Sequence, residues 1–73
     1  MKSKKFYLNG DATILAIFEM TPEELLLENL AMVVPCFIEV TPIEMNWRSV
    51  KVTYREEDED YVNDFIAYYG WEA

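Results

Sequence analysis

Residues 48–69 read RSVKVTYREEDEDYVNDFIAYY, and within this one stretch the hydrophobic period changes from two to about 3.6. Val50, Val52 and Tyr54 alternate with Ser49, Lys51 and Thr53, the pattern of a strand with one buried and one wet face. Five consecutive acids follow, Glu56, Glu57, Asp58, Glu59 and Asp60, and then Val62, Phe65, Ile66 and Tyr69 recur at helical spacing. Carboxylates complement the positive end of a helix dipole, so the helix is predicted to begin near Asp58 or Asp60. Gly70 is expected to stop it in a left-handed conformation, with Trp71 folding back on Ile66. A half-buried strand that turns directly into an amphipathic helix sets the two apolar faces against each other, and this decides for an α+β domain.

The same logic extends towards the N-terminus. The strand is expected to start near Met45, and an earlier one to run from Cys36 to Thr41, the two joined through Pro42. Ahead of them, Thr21 as N-cap, Pro22 at the first helical position and Glu24 closing a capping box specify a helix start, with Met20 and Leu25 as the hydrophobic staple. Leu26, Leu30, Val33 and Val34 form its inner stripe with Leu27 at the edge, Leu25 and Met32 fall away from it, and Pro35 ends the helix. From Phe6 to Phe18 the expectation is strand, turn, strand, with Asn9 and Gly10 supplying positive φ angles to a hairpin. An odd-length loop places Phe6 and Leu8 on the face of Ala12, Ile14, Ala16 and Phe18, and leaves Leu15 and Ile17 on the other face.

The predicted order is therefore ββαββα, with a four-stranded antiparallel sheet and two helices packed on one face, in a single domain spanning residues 1–73. A shift of 36 residues superposes Ile14 on Val50, Ala16 on Val52, Phe18 on Tyr54, Leu26 on Val62 and Leu30 on Ile66, a pattern compatible with two ββα units. With 52% hydrophobic and 15% aromatic residues, the chain is far from the profile of disordered sequences.

Fourteen acids against six bases, and no histidine, give a formal charge of −8. Such a chain is repelled by nucleic acid and attracted to cationic surfaces, so direct nucleic-acid binding is not expected. A lone cysteine, Cys36, excludes an internal disulfide framework and fits a reducing cytoplasm. The basic start, Met1 to Lys5, resembles a signal-peptide leader, but Asn9, Gly10 and Asp11 interrupt the apolar stretch that follows. No apolar run approaches the ~18 residues of a membrane span.

Catalysis finds no support: there is no histidine, no glycine-rich phosphate loop, and no serine or cysteine beside a recognisable base. Paired carboxylates are plentiful, but a continuous exposed run gives them one shared environment instead of two contrasting ones. Glu56 to Asp60 and Asp64 offer oxygen ligands for a cation, yet an EF-hand counted from Asp58 would need glycine and glutamate where Asn63 and Tyr69 stand. Neither a metal nor any other cofactor is called for.

The candidate binding site is the acidic run with its aromatic neighbours: Glu56, Glu57, Asp58, Glu59, Asp60, Tyr61, Asp64 and Tyr68. Large amphipathic rings beside charge are what binding hot spots are made from. Arginine and lysine side chains that clamp phosphates bind carboxylates through the same charge-assisted geometry. The expected partner is therefore the basic surface of a nucleic-acid-binding protein or nuclease complex. In size, charge and lack of catalytic residues the chain is similar to small acidic proteins of phages and mobile elements that inhibit host nucleases, restriction systems or CRISPR effectors, some as DNA mimics. That similarity is compositional and implies a non-enzymatic inhibitor. The competing expectation is a small homodimer through an apolar second sheet face built on Leu15 and Ile17, with the acids serving solubility. Trp47 and Trp71 suit either core packing or anchoring in a partner's pocket.

Overall fold

The computed structural model describes residues 1–73 and contains strand β1 (Lys2–Asn9), helix α1 (Thr13–Phe18), helix α2 (Pro22–Leu26), strand β2 (Cys36–Pro42), strand β3 (Trp47–Tyr54), helix α3 (Glu59–Tyr69) and a short strand β4 (Trp71–Glu72). The sheet is four-stranded and antiparallel, in the order β2-β3-β1-β4, and the class is α+β as expected. Phe6 stands opposite Val50, and Val50 opposite Val40, so the even-numbered positions of the three long strands share one face. Phe6, Leu8, Val50, Val52 and Tyr54 on that face join Leu15, Leu25, Leu26, Leu30, Val34, Val62, Phe65 and Ile66 in one buried cluster. The strand β3 and the helix α3 thus meet through the residues that the period change singled out.

The start of α2 is as specified. Thr21 accepts from the Glu24 amide at 3.1 Å, Glu24 accepts from the Thr21 amide at 3.2 Å, and Pro22 holds the first turn. After Leu26 the helix widens into a π turn over Leu27–Ala31. A wider turn brings residues five apart onto one side, and this corrects the expected stripe. Leu25 joins Leu30 in the core, while Val33 and Leu27 are exposed.

The second predicted strand is not a strand. Residues 13–18 form α1, which buries Leu15 and leaves Ile17 and Phe18 exposed. An Asx turn, with the Asp11 amide bonded to the Asn9 side chain at 2.7 Å, diverts the chain after β1. Strand β3 pairs along the whole of β1, and on its other edge β4 takes Phe6 and Tyr7, where a hairpin partner was expected. The supposed second sheet face built on Leu15 and Ile17 falls with that strand, and so does the 36-residue repeat, which would align helix α1 with strand β3.

The two glycines also act differently from expectation. Neither has a positive φ. A side chain at Gly10 would meet the Asn46 carboxamide at 2.5 Å, and one at Gly70 would meet the Tyr7 carbonyl oxygen at 2.8 Å. Both are glycine because another part of the chain passes close by. Gly70 is extended and delivers Trp71 to the edge of β1 opposite Tyr7, instead of folding it back on Ile66. The positive φ values belong to Glu19, which ends α1, and to Met45 and Asn46 in the tight turn between β2 and β3.

Candidate functional site

The acidic run occupies the link from β3 to α3, first as a single tight turn over Glu56–Asp58 and then as the first turn of α3. Its position next to β1 places it beside two cations. Lys2 lies opposite Tyr54 in the sheet register, and its Nζ is 3.0 Å from Glu59 and 3.7 Å from Glu56. The buried Tyr54 directs its hydroxyl to the same Glu59 carboxylate, donating at 3.2 Å. Arg55 Nε is 3.0 Å from Asp58 and 3.8 Å from Glu57.

The electrostatics follow from these contacts. The hydrogen bond from Lys2, with its charge, holds the Glu59 carboxyl below the usual glutamate range. Reciprocally, the hydrogen bond and the charge of Glu59 raise the Lys2 ammonium. Burial, followed by the bond to Glu59, pushes the Tyr54 phenol up. Burial also pushes up the Cys36 thiol, with the Asp58 charge adding to it, which disfavours the nucleophilic thiolate. Asp58 and Glu59 are the two held at 3.0 Å, with side chains 17% and 32% exposed, whereas Glu56 and Glu57 are 81% and 70% exposed and paired at longer range.

Asp60 and Asp64 take part in no ion pair. One helical turn apart, they share a side of α3 with Tyr61 and Tyr68, and all four residues are exposed. Tyr61, Asp64 and Tyr68 line a shallow groove with Asn29, Phe65 and Tyr69. Tyr61 donates its hydroxyl to the Asn29 carbonyl and so ties α3 to the π turn beside it. Tyr68 stacks edge-on against Tyr69 at 4.7 Å between ring centres, and Tyr69 lies 5.0 Å from Phe65. The outer ring therefore rests on a supported one, yet remains 70% exposed.

Of the residues predicted from sequence, Asp60, Tyr61, Asp64 and Tyr68 come together on one face, and Asp58 and Glu59 turn inward to cations of the same chain. Glu56 and Glu57, in the turn before them, pair at longer range with Lys2 and Arg55. Asn29, which the sequence did not single out, completes the groove. A second surface was missed as well. Trp47 packs at 5.0 Å on Trp71 and at 6.5 Å on Tyr7, and with Ile43 these rings cluster on the helix-free face of the sheet. The signal was present in the odd positions of β1 and β3, which must face away from Leu8 and Val50. Lys5 and Lys51 lie opposite each other on that same face, outside any ion pair, with Glu39 across from Lys51 on β2.

No group of three or more carboxylate, thiol or imidazole side chains is arranged to hold a metal ion, and no helix is long and apolar enough to cross a membrane. No protein-family model matches the chain, and no curated protein sequence or solved structure matches it.

Proposed function

We propose that this is a non-enzymatic binding protein whose α3 face, carrying Asp60, Asp64, Tyr61 and Tyr68 with Glu57 at its start, occupies a basic, phosphate-binding surface of a nucleic-acid-processing protein. The observation that carries this reading is the pair of unneutralised carboxylates one helical turn apart, flanked by an exposed ring that is already supported from below. Carboxylates held on a rigid helix meet arginine and lysine forks without a large ordering cost. The exposed Tyr68 adds contact area at small entropic cost. Inhibition by occupancy follows, because the partner's cations engage either the protein or phosphate, but not both; an inhibitor of a nuclease or of a host defence complex is the form of this activity that a chain of net charge −8 suits.

Capture from a bacterial lysate at 50 and 300 mM salt, with duplex DNA as eluant and mass spectrometry of the eluates, tests the proposal. A nucleic-acid-binding protein retained at low salt, released by DNA, and lost by the Asp60→Lys/Asp64→Lys protein is the expected result. Retention that is equal at both salts and indifferent to DNA would sink it.

The Trp47, Trp71 and Tyr7 cluster favours a second reading, a homodimer through the helix-free sheet face. Under that reading sedimentation equilibrium finds a dimer, Trp71→Ser dissociates it, and the charge reversal on α3 leaves it intact.

A further inference from the structure

The core is closed along β3 and left open along β2. Val50, Val52 and Tyr54 of β3 have no exposed surface, whereas Cys36, Ile38 and Val40, the inward residues of β2, are only half buried. Beyond Ile38 and Val40 an apolar groove runs between β2 and the α2 region, walled by Leu26, Leu27 and Ala31, with Glu23 at its rim. Strand β2 is also the outer strand of the sheet, paired only with β3, so its other edge presents backbone N–H and C=O groups to whatever arrives. Natural edges of this kind are guarded by charge or proline; here the guards are Glu39 at mid-strand and Pro42 at its end.

We infer that the β2 edge and its groove form a docking site for an extended peptide segment in which apolar residues alternate with lysine or arginine. An added strand satisfies the free backbone groups, and its side chains alternate between the two faces of the sheet. The residue opposite Glu39 points to the helix-free face, where the Glu39 carboxylate faces Lys51 of β3 on one side without forming an ion pair and is open on the side of the added strand. Its two neighbours point the other way, into the groove beside Ile38 and Val40, and complete the core that β2 leaves open. Cross-strand neighbours of opposite charge stabilise a sheet and like charges oppose it, which makes a cation the matching residue. The same rule disfavours a second copy of this chain as occupant: an antiparallel β2 pair centred on Glu39 would set two carboxylates face to face.

Titration of the 15N-labelled protein with capped hexapeptides of alternating Val–Lys, Val–Glu and Ser–Lys tests the inference. The Val–Lys peptide is expected to shift the amides of residues 26–31 and 36–42, with the other two binding up to about fivefold more weakly, the scale of one cross-strand pair. Glu39→Lys should reverse the preference between Val–Lys and Val–Glu. Leu27→Ala, at an exposed position, should weaken Val–Lys binding without unfolding the protein. Asp60→Lys/Asp64→Lys should leave the peptide site unaffected, which keeps this test separate from that of the α3 face. Shifts confined to residues 60–68, equal binding of Val–Lys and Val–Glu, or β2 shifts that grow with protein concentration alone would each overturn it.

Discussion

Asp58 and Glu59 differ from Asp60 and Asp64 in use more than in chemistry. The first two reach back to Arg55 and Lys2 at 3.0 Å each, and Glu59 also receives the hydroxyl of the buried Tyr54. The second two form no ion pair and lie exposed on the side of α3 that carries Tyr61 and Tyr68. A run of like charges is therefore not one feature. Turn and helix phase sort it: Asp58, in the tight turn, reaches Arg55 three residues back, and on α3 consecutive residues differ by about 100° in direction, so Glu59 meets Lys2 while Asp60 meets solvent. The inward pair stabilises the junction of β1, β3 and α3, and the outward pair is left available to a partner.

The largest expected effect that can break this division is on binding. Asp60→Lys with Asp64→Lys should reduce affinity for the captured partner about a hundredfold at low salt, while altering unfolding stability by no more than about 1 kcal/mol, measured by urea denaturation. Tyr68→Ser should cost about tenfold in affinity and no more than about 1 kcal/mol of stability, since the ring is exposed and touches Tyr69 edge-on. Tyr54→Phe should behave in the opposite way, losing about 1 kcal/mol of stability with the hydrogen bond to Glu59 and leaving affinity unchanged.

A pH series sharpens the comparison further. Glu59 titrates below its ordinary 4.5 in the folded protein, so its contribution is present above that value and is lost as pH falls through the lower, folded one. Lys2 titrates above its ordinary 10.5, so its contribution is complete below that value and is lost as pH rises through the folded one. Glu59→Gln should flatten the acid limb of the urea midpoint against pH. Smallest of all, Glu56→Gln removes an exposed partner at 3.7 Å and should not shift the midpoint measurably.

How much of this was legible depends on how local each cause is. The strand at Val50–Tyr54, the helix carrying Val62, Phe65 and Ile66, and the Thr21–Glu24 capping box are fixed within a few residues, and they stand where the sequence put them. Residues 14–18 are apolar on every side, so their period is ambiguous, and they form a helix after the Asx turn at Asn9 and Asp11 leads the chain out of β1. Gly10 and Gly70 answer to Asn46 and Tyr7, neighbours that no local pattern reveals. The division of the acidic run was illegible for the same reason: Lys2 reaches Glu59 only through the pairing of β1 with β3. The gathering of Asp60, Tyr61, Asp64 and Tyr68 needed only helical spacing and was therefore readable.

The most direct test sets the two carboxylate pairs against each other in one experiment: capture of the partner at 50 mM salt by Asp60→Asn/Asp64→Asn and by Asp58→Asn/Glu59→Gln, with thermal melting of both proteins. The account predicts that the first loses the partner and keeps its Tm, and that the second keeps the partner and melts lower. Loss of the partner by the second protein alone, with the first still binding, would contradict it.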